Sequence, residues 1–85
     1  MLDKVKLADR LYDMVRPFAP ELPAAPVEAR KVGLRDAGLT SLAAVRLMLE
    51  IEAVFDLAIP DGDLTPENFE SIDTIGRLIE RLQAA

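Results

Sequence analysis

The 85-residue chain contains no cysteine and no histidine. Without cysteine it can form neither a disulfide nor a thiolate metal site, and without histidine it lacks the commonest general base and nitrogen ligand. Basic residues are also few, with ten Lys and Arg against fifteen Asp and Glu, which argues against a nucleic-acid partner. Apolar runs long enough to span a membrane and a signal-peptide pattern are both missing, so we expect a cytoplasmic protein.

Half of the residues are hydrophobic, which is too many for a compositionally disordered chain. A chain of this length forms one small domain with a modest core. We therefore expect residues 1–85 to form a single domain, and we expect it to act as a monomer.

Apolar residues recur at helical spacing over residues 2–18, and Pro17 and Pro20 are expected to end this first helix. A proline-rich connector follows at residues 21–26 and should be extended. Residues 27–37 fit no single pattern. Because this segment is long for a bare loop, we expect a turn of helix or a few anchoring apolar residues, with Leu34 as the main anchor.

The clearest helical pattern runs from Ser41 to Phe55. At about 100° per residue, six apolar side chains share one side and are assigned to the core: Ala44, Leu47, Met48, Ile51, Val54 and Phe55. Leu42, Val45 and Leu49 form a second apolar stripe beside Ser41 and away from that core. Two interpretations remain open: the connector or first helix covers the stripe, or it contacts a partner protein.

Residues 56–63 predict a loop, after which Thr65 and Pro66 are typical of the start of a short helix. Phe69 and Ile72 are its expected core contacts. Asp73 is the predicted cap of a last helix with a clean apolar face, formed by Ile75, Leu78, Ile79 and Leu82. The sequence thus predicts an all-α fold, a small four-helix bundle of three main helices and one short helix, with a long first connector.

A serine at a helix start is most often only a cap. If Thr40 is the cap instead, Ser41 stands at the first helical position with a free hydroxyl. A phosphodiester on Ser41 would then lie at the positive end of the helix dipole. Serine is a weak nucleophile unless a base activates it, and without histidine a catalytic triad on this chain is excluded. We therefore predict no catalytic residue.

Two binding functions fit the residues poorly. Calcium binding by an EF-hand loop is rejected. Such a loop needs an acidic residue at its twelfth position, and in a loop that begins at Asp61 this position is occupied by Ile72. A helix-turn-helix DNA contact is disfavoured, since the best-defined helix carries Glu50 and Glu52 against Arg46 alone. Over residues 42–73, eight acidic groups stand against this one basic residue. That imbalance indicates either a solvated surface or a face that steers a basic partner towards Ser41.

The segment from Asp36 to Leu42 resembles the D-x-G-x-D-S-L signature of acyl and peptidyl carrier proteins. The similarity continues through the FDLAIP run at 55–60 and the SIDTI run at 71–75. This resemblance implies an acyl-carrier-protein-like bundle with 4′-phosphopantetheine attached to Ser41 by a phosphopantetheinyl transferase, and no metal bound by the carrier itself. The chain departs from the signature at Thr40, where most carriers have aspartate.

The run GLTSLAAVRLMLEIE, at 38–52, is most similar to stand-alone aminoacyl carrier proteins. That likeness implies an amino acid held as a thioester, loading by a seryl-tRNA-synthetase-like amino acid:carrier protein ligase, and delivery to downstream acceptor enzymes. The partner contacts it implies are Leu39, Thr40, Leu42, Val45, Arg46 and Leu49. A specialised acyl carrier for fatty-acid or polyketide cargo, with an acyl-loading enzyme, and an unmodified helical adaptor domain remain the alternatives.

Overall fold

The computed structural model describes residues 4–84, with side-chain surroundings from residue 6 onward. Within this range the backbone forms four α-helices and two short 3-10 helices, and it contains no strand. The α-helices are α1 (Lys4–Val15), α2 (Pro26–Ala29), α3 (Ser41–Phe55) and α4 (Ile72–Ala84), and the 3-10 helices are Arg16–Phe18 and Asp61–Asp63. The predicted all-α fold with a long first connector is confirmed, although the short helix is not the one predicted.

The first helix ends where the prolines predict. α1 runs to Val15 and tightens into the 3-10 helix that contains Pro17; residues 2 and 3 of the predicted helix lie outside the described residues. The buried side of α1 also fixes the connector, because the Tyr12 hydroxyl lies 2.9 Å from the carbonyl of Ala24 and 3.3 Å from that of Pro23. Donation from Tyr12 to these carbonyls ties the connector to α1.

Residues 26–39 contain the short α-helix. Pro26, predicted to be in the extended connector, instead begins α2, where a missing N–H has no cost and its fixed φ suits the helix. The turn of helix expected in residues 27–37 is thus present, and Leu34 is fully buried as predicted. The Leu34 N–H donates to the Glu70 carbonyl at 2.8 Å, so this segment is anchored to the chain just before α4.

The short helix predicted after Thr65 is wrong. Thr65 Oγ1 accepts from the Asn68 N–H as a cap would, at 3.3 Å, but residues 66–69 form only turns. The segment is too short to complete a helix before α4 begins, and nucleating a helix has a high entropic cost. The predicted loop at 56–63 is also partly ordered, because it contains the 3-10 helix Asp61–Asp63.

The cap of α4 is Ser71 rather than Asp73. Ser71 Oγ accepts from the Thr74 N–H at 3.2 Å, and Thr74 Oγ1 accepts from the Ser71 N–H at 2.9 Å, so the two residues satisfy each other's backbone. Asp73 lies inside the first turn, where its carboxylate pairs with Arg30. The predicted apolar face of α4 is confirmed, with Leu82 half-buried and the other three residues buried.

The core lies where α1, α3 and α4 pack together, closed by the segment around Leu34. Its largest fully buried side chains are Leu11, Val15, Leu34, Leu47, Ile51, Ile72, Ile75, Leu78 and Ile79. Among residues 4–84, no helix has both the length and the apolar character that crossing a membrane requires.

Candidate functional site

Ser41 is the first residue of α3, and Thr40 is its N-cap. Thr40 has extended backbone angles, and its Oγ1 accepts from the Ala43 N–H at 3.1 Å. Of the two possibilities left open by the sequence, the structure therefore shows the one in which Thr40, and not Ser41, caps the helix. Ser41 is exposed, and its hydroxyl makes no hydrogen bond to any of the residues that the structure describes.

The turn before α3 is held from both sides. Gly38 adopts φ of +99°, and a Cβ added there would lie 3.1 Å from Pro20 Cδ, so both the backbone and the space require glycine. The next residue, Leu39, donates its N–H to the Leu34 carbonyl at 2.9 Å. These contacts fix the direction in which the chain enters α3 and therefore the position of Ser41.

The predicted apolar stripe on α3 is exposed. Leu42, Val45 and Leu49 retain 66%, 49% and 57% of their surface, so neither the connector nor α1 covers them within the described residues. Arg46, which lies between them on the same side, is also exposed. Because the residues are three and four apart, they form one continuous helix face.

Two sequence predictions, one for the turn before α3 and one for its last turn, need correction. Leu39, predicted as a partner contact, is only 8% exposed and belongs to the core, since the turn after Gly38 directs it inward. Val54, predicted in the core, is exposed. It lies in the last turn of α3, where the other described elements leave part of its side chain uncovered. The other assignments are confirmed: Leu47 and Ile51 are buried, and the rest pack against them.

An open cleft of about 490 Å³ adjoins Ser41. One wall is formed by the start of α3, with Ser41 and Ala44, and the facing wall by Pro66, Phe69 and Glu70. The cleft could not be found from the sequence, because the wall facing Ser41 is formed by residues 66–70, which the sequence predicts to be part of a helix. The contact that brings the two walls together, between Leu34 and Glu70, has no local sequence signal.

The geometry suits attachment of a group at Ser41 better than catalysis by Ser41. The first N–H groups of a helix lack intrahelical partners and favour a negative charge nearby. Ser41 presents its oxygen at this end of α3, with open space beside it. Histidine, the commonest activating base, does not occur in the sequence, and the nearest lysine in sequence, Lys31, is exposed on another segment.

Comparison with known proteins agrees with this geometry. Residues 18–82 match the family described as "Phosphopantetheine attachment site". The chain is 38% identical to aminoacyl carrier protein 1 of Bradyrhizobium diazoefficiens over 71 residues, which cover 84% of this chain and 79% of the relative. It is 41% identical over 61 residues to an aminoacyl carrier protein of Agrobacterium fabrum, covering 67% of this chain and 74% of that protein.

The fold resembles a chain in the crystal structure of an engineered Bradyrhizobium japonicum glycine:[carrier protein] ligase complexed with carrier protein from Agrobacterium tumefaciens and ATP. The TM-score is 0.73 at 33% identity, and the match covers 88% of this chain and 97% of that one. The acyl-carrier-protein-like fold implied by the sequence is therefore confirmed. By sequence and by fold, the chain belongs to the phosphopantetheine attachment-site family and groups within it with the aminoacyl carrier proteins.

Proposed function

We propose that Ser41 carries a 4′-phosphopantetheine arm and that the chain delivers an amino acid held on that arm as a thioester. The observation that carries the proposal is that two different residues cap α3 and present a free hydroxyl at its start. Thr40 caps the helix, so the exposed hydroxyl of Ser41 is left for a substituent. Membership of the phosphopantetheine attachment-site family supports the same assignment.

The residues around Ser41 fit such an arm. The phosphodiester would lie beside the unpaired N–H groups of the first turn of α3, at the positive end of the helix dipole. The cleft between Ala44 and Phe69 leaves room next to the attachment point. When bound, the arm supplies the thiol that forms the thioester, which none of this chain's own residues can provide because the sequence has no cysteine.

Attachment requires a second protein. Ser41 Oγ forms a bond to the phosphorus of the arm, the pyrophosphate bond of coenzyme A breaks with release of adenosine 3′,5′-bisphosphate, and the hydroxyl proton passes to a base of the phosphopantetheinyl transferase. The chain has no histidine to serve as that base. We accordingly propose that it is not an enzyme and that, as a monomer, it is modified, loaded and unloaded by others.

An amino acid is the proposed cargo, and an amino acid:carrier protein ligase is the proposed loading partner. The fold also resembles a chain in the crystal structure of Bradyrhizobium japonicum glycine:[carrier protein] ligase complexed with glycylated carrier protein. The match has a TM-score of 0.66 at 33% identity and covers 88% of this chain and 96% of that one. The proposed contacts with transferase, ligase and downstream acceptor are the exposed residues at the start and along one face of α3: Thr40, Leu42, Val45, Arg46 and Leu49.

Intact-mass spectrometry tests the attachment. Coexpression with a broad-specificity transferase should add one phosphopantetheine to the wild type, and Ser41→Ala should remain unmodified. Ser71 is the other serine of the chain and is buried, so Ser71→Thr, which keeps a capping hydroxyl, should still be modified. A wild type left unmodified by several transferases would favour the adaptor alternative.

The cargo requires a second measurement. The modified protein is incubated with ATP, glycine and a glycine:[carrier protein] ligase, and the mass of the product is recorded. One glycyl group should be added, and it should be lost on treatment with hydroxylamine because a thioester is cleaved by that nucleophile. A protein that accepts fatty acyl groups from an acyl-loading enzyme but never an amino acid would contradict the proposed cargo.

A further inference from the structure

The stripe on α3 continues into a groove of about 420 Å³ between the 3-10 helix Arg16–Phe18 and the start of α3. Pro17 and Phe18 of the 3-10 helix form one side, and Leu42 and Ala43 form the other. Its volume falls in the range of about 300–1,000 Å³ typical of small-ligand pockets, so it has room for a large apolar side chain. Leu42 belongs to both features and makes the stripe and the groove one continuous surface.

Arg46 lines this groove and differs in charge from the residues around it. It is the only basic residue between positions 42 and 73, where eight residues are acidic. Arg30 and Arg81 have carboxylate partners, whereas Arg46 has none among residues 4–84. The groove therefore combines apolar walls with one exposed, unpaired guanidinium group.

This combination selects the chemistry of its occupant. Arginine is enriched in protein interfaces, where its planar fork binds carboxylates with two parallel hydrogen bonds. A basic partner surface placed here would instead bring like charges together over an apolar contact, which is costly once water is excluded. Charge complementarity thus favours an acidic group beside an apolar one on the partner.

We propose that the groove of Pro17, Phe18, Leu42 and Ala43 receives an apolar side chain of the amino acid:carrier protein ligase, and that Arg46 pairs with a carboxylate next to that side chain. The inference rests on the proposed function, because it concerns the partner that loads Ser41. It extends the docking surface beyond α3 to the 3-10 helix Arg16–Phe18. At Arg46 the proposed partner group is acidic, whereas the acidic residues around Arg46 would attract a basic one.

Steady-state kinetics of glycylation test the charge, with the modified protein as the varied substrate and a glycine:[carrier protein] ligase as the probe. Arg46→Glu should lower kcat/KM by about tenfold or more, mainly through a higher KM, because it removes the pair and adds repulsion. Arg46→Lys should keep part of the activity. Arg77→Glu, on the exposed side of α4, makes the same change in net charge and should stay within about twofold of wild type if long-range charge alone has little effect.

Filling the groove tests its occupancy. Ala43→Met should lower kcat/KM by a similar factor, whereas Ala84→Met, exposed near the end of α4, should change it less than about twofold, since most surface substitutions alter little. Circular dichroism melting curves of all variants would verify that they fold.

The outcomes separate the two proposals. A modified wild type that accepts no amino acid from any amino acid:carrier protein ligase contradicts the proposed function. A wild type that is glycylated, with Arg46→Glu loaded equally well or faster, overturns this inference alone, because faster loading would mean that the ligase presents a basic surface at this point. Normal loading of Ala43→Met would likewise show that the groove stays empty in the complex.

Discussion

Arg30 and Asp73 are joined twice, once through their side chains and once through their backbones. Arg30 Nε lies 3.0 Å from Asp73 Oδ1, and the Asp73 N–H donates to the Arg30 carbonyl at 3.1 Å. The residues are 43 positions apart in sequence. The double contact therefore fixes the end of α2 against the first turn of α4, next to the Leu34–Glu70 hydrogen bond that supports the cleft wall facing Ser41.

Breaking the ion pair should destabilise the fold modestly. Because both side chains are partly exposed, a double-mutant cycle with Arg30→Ala and Asp73→Ala should give a coupling free energy of about 0.2–1 kcal/mol. Urea unfolding would measure it, and the coupling should shrink as salt is added. A coupling indistinguishable from zero at low salt would indicate that the backbone contact alone holds the two segments together.

Thr40→Ala should lower the free energy of unfolding by about 1 kcal/mol, because the Ala43 N–H loses the Thr40 Oγ1 acceptor. Thr40→Ser and Thr40→Asp should remain within about 0.5 kcal/mol of wild type, since both keep a capping oxygen. Urea unfolding of the three variants decides this. An unchanged Thr40→Ala protein would mean that the hydrogen bond to Ala43 does not stabilise the start of α3.

Gly76→Ala should stabilise the protein by about 0.5–1 kcal/mol, because glycine is a poor helix former. The added Cβ would lie 3.7 Å from Leu11 Cδ1 and 3.9 Å from Leu7 Cδ2, which is ordinary packing distance. Gly38→Ala should instead destabilise by about 1 kcal/mol or more, since φ is +99° there and Pro20 is close. Thermal unfolding of the pair should show opposite shifts, and a loss for both would indicate that α1 and α4 cannot accept the extra methyl group.

The start and end of α3 were predictable because local signals agree there. The glycine turn, the Thr40 cap and a long helical period all indicate the same element, and the structure begins and ends α3 at the predicted residues. The exposed stripe was predictable in direction for the same reason. Its openness to solvent was not, because the helical period gives the side on which a residue lies but not whether another element covers it.

The segment before α4 was less predictable because long-range contacts decide it. Thr65 and Pro66 have the signature of a helix start, yet the Glu70 carbonyl, four residues after Pro66, is hydrogen-bonded to Leu34. Asp73 is a good cap by residue type, but Arg30 binds it and leaves the cap to Ser71. The cap error thus comes from a partner more than thirty residues away in sequence, whereas the short helix fails because too few residues separate Thr65 from α4.

Ser41 and Leu49 lie on the same helix, so a partner that binds near Leu49 would also set the position of Ser41. Eight residues at about 1.5 Å each separate them by about 12 Å along the axis. A partner that grips α3 at Leu49 with an angular error of about 10° would therefore displace the attachment oxygen by about 2 Å. Under the proposed function, the placement of the group on Ser41 thus depends on how firmly the partner holds α3 near Leu49, and a substitution at Leu49, two turns away, should displace that group.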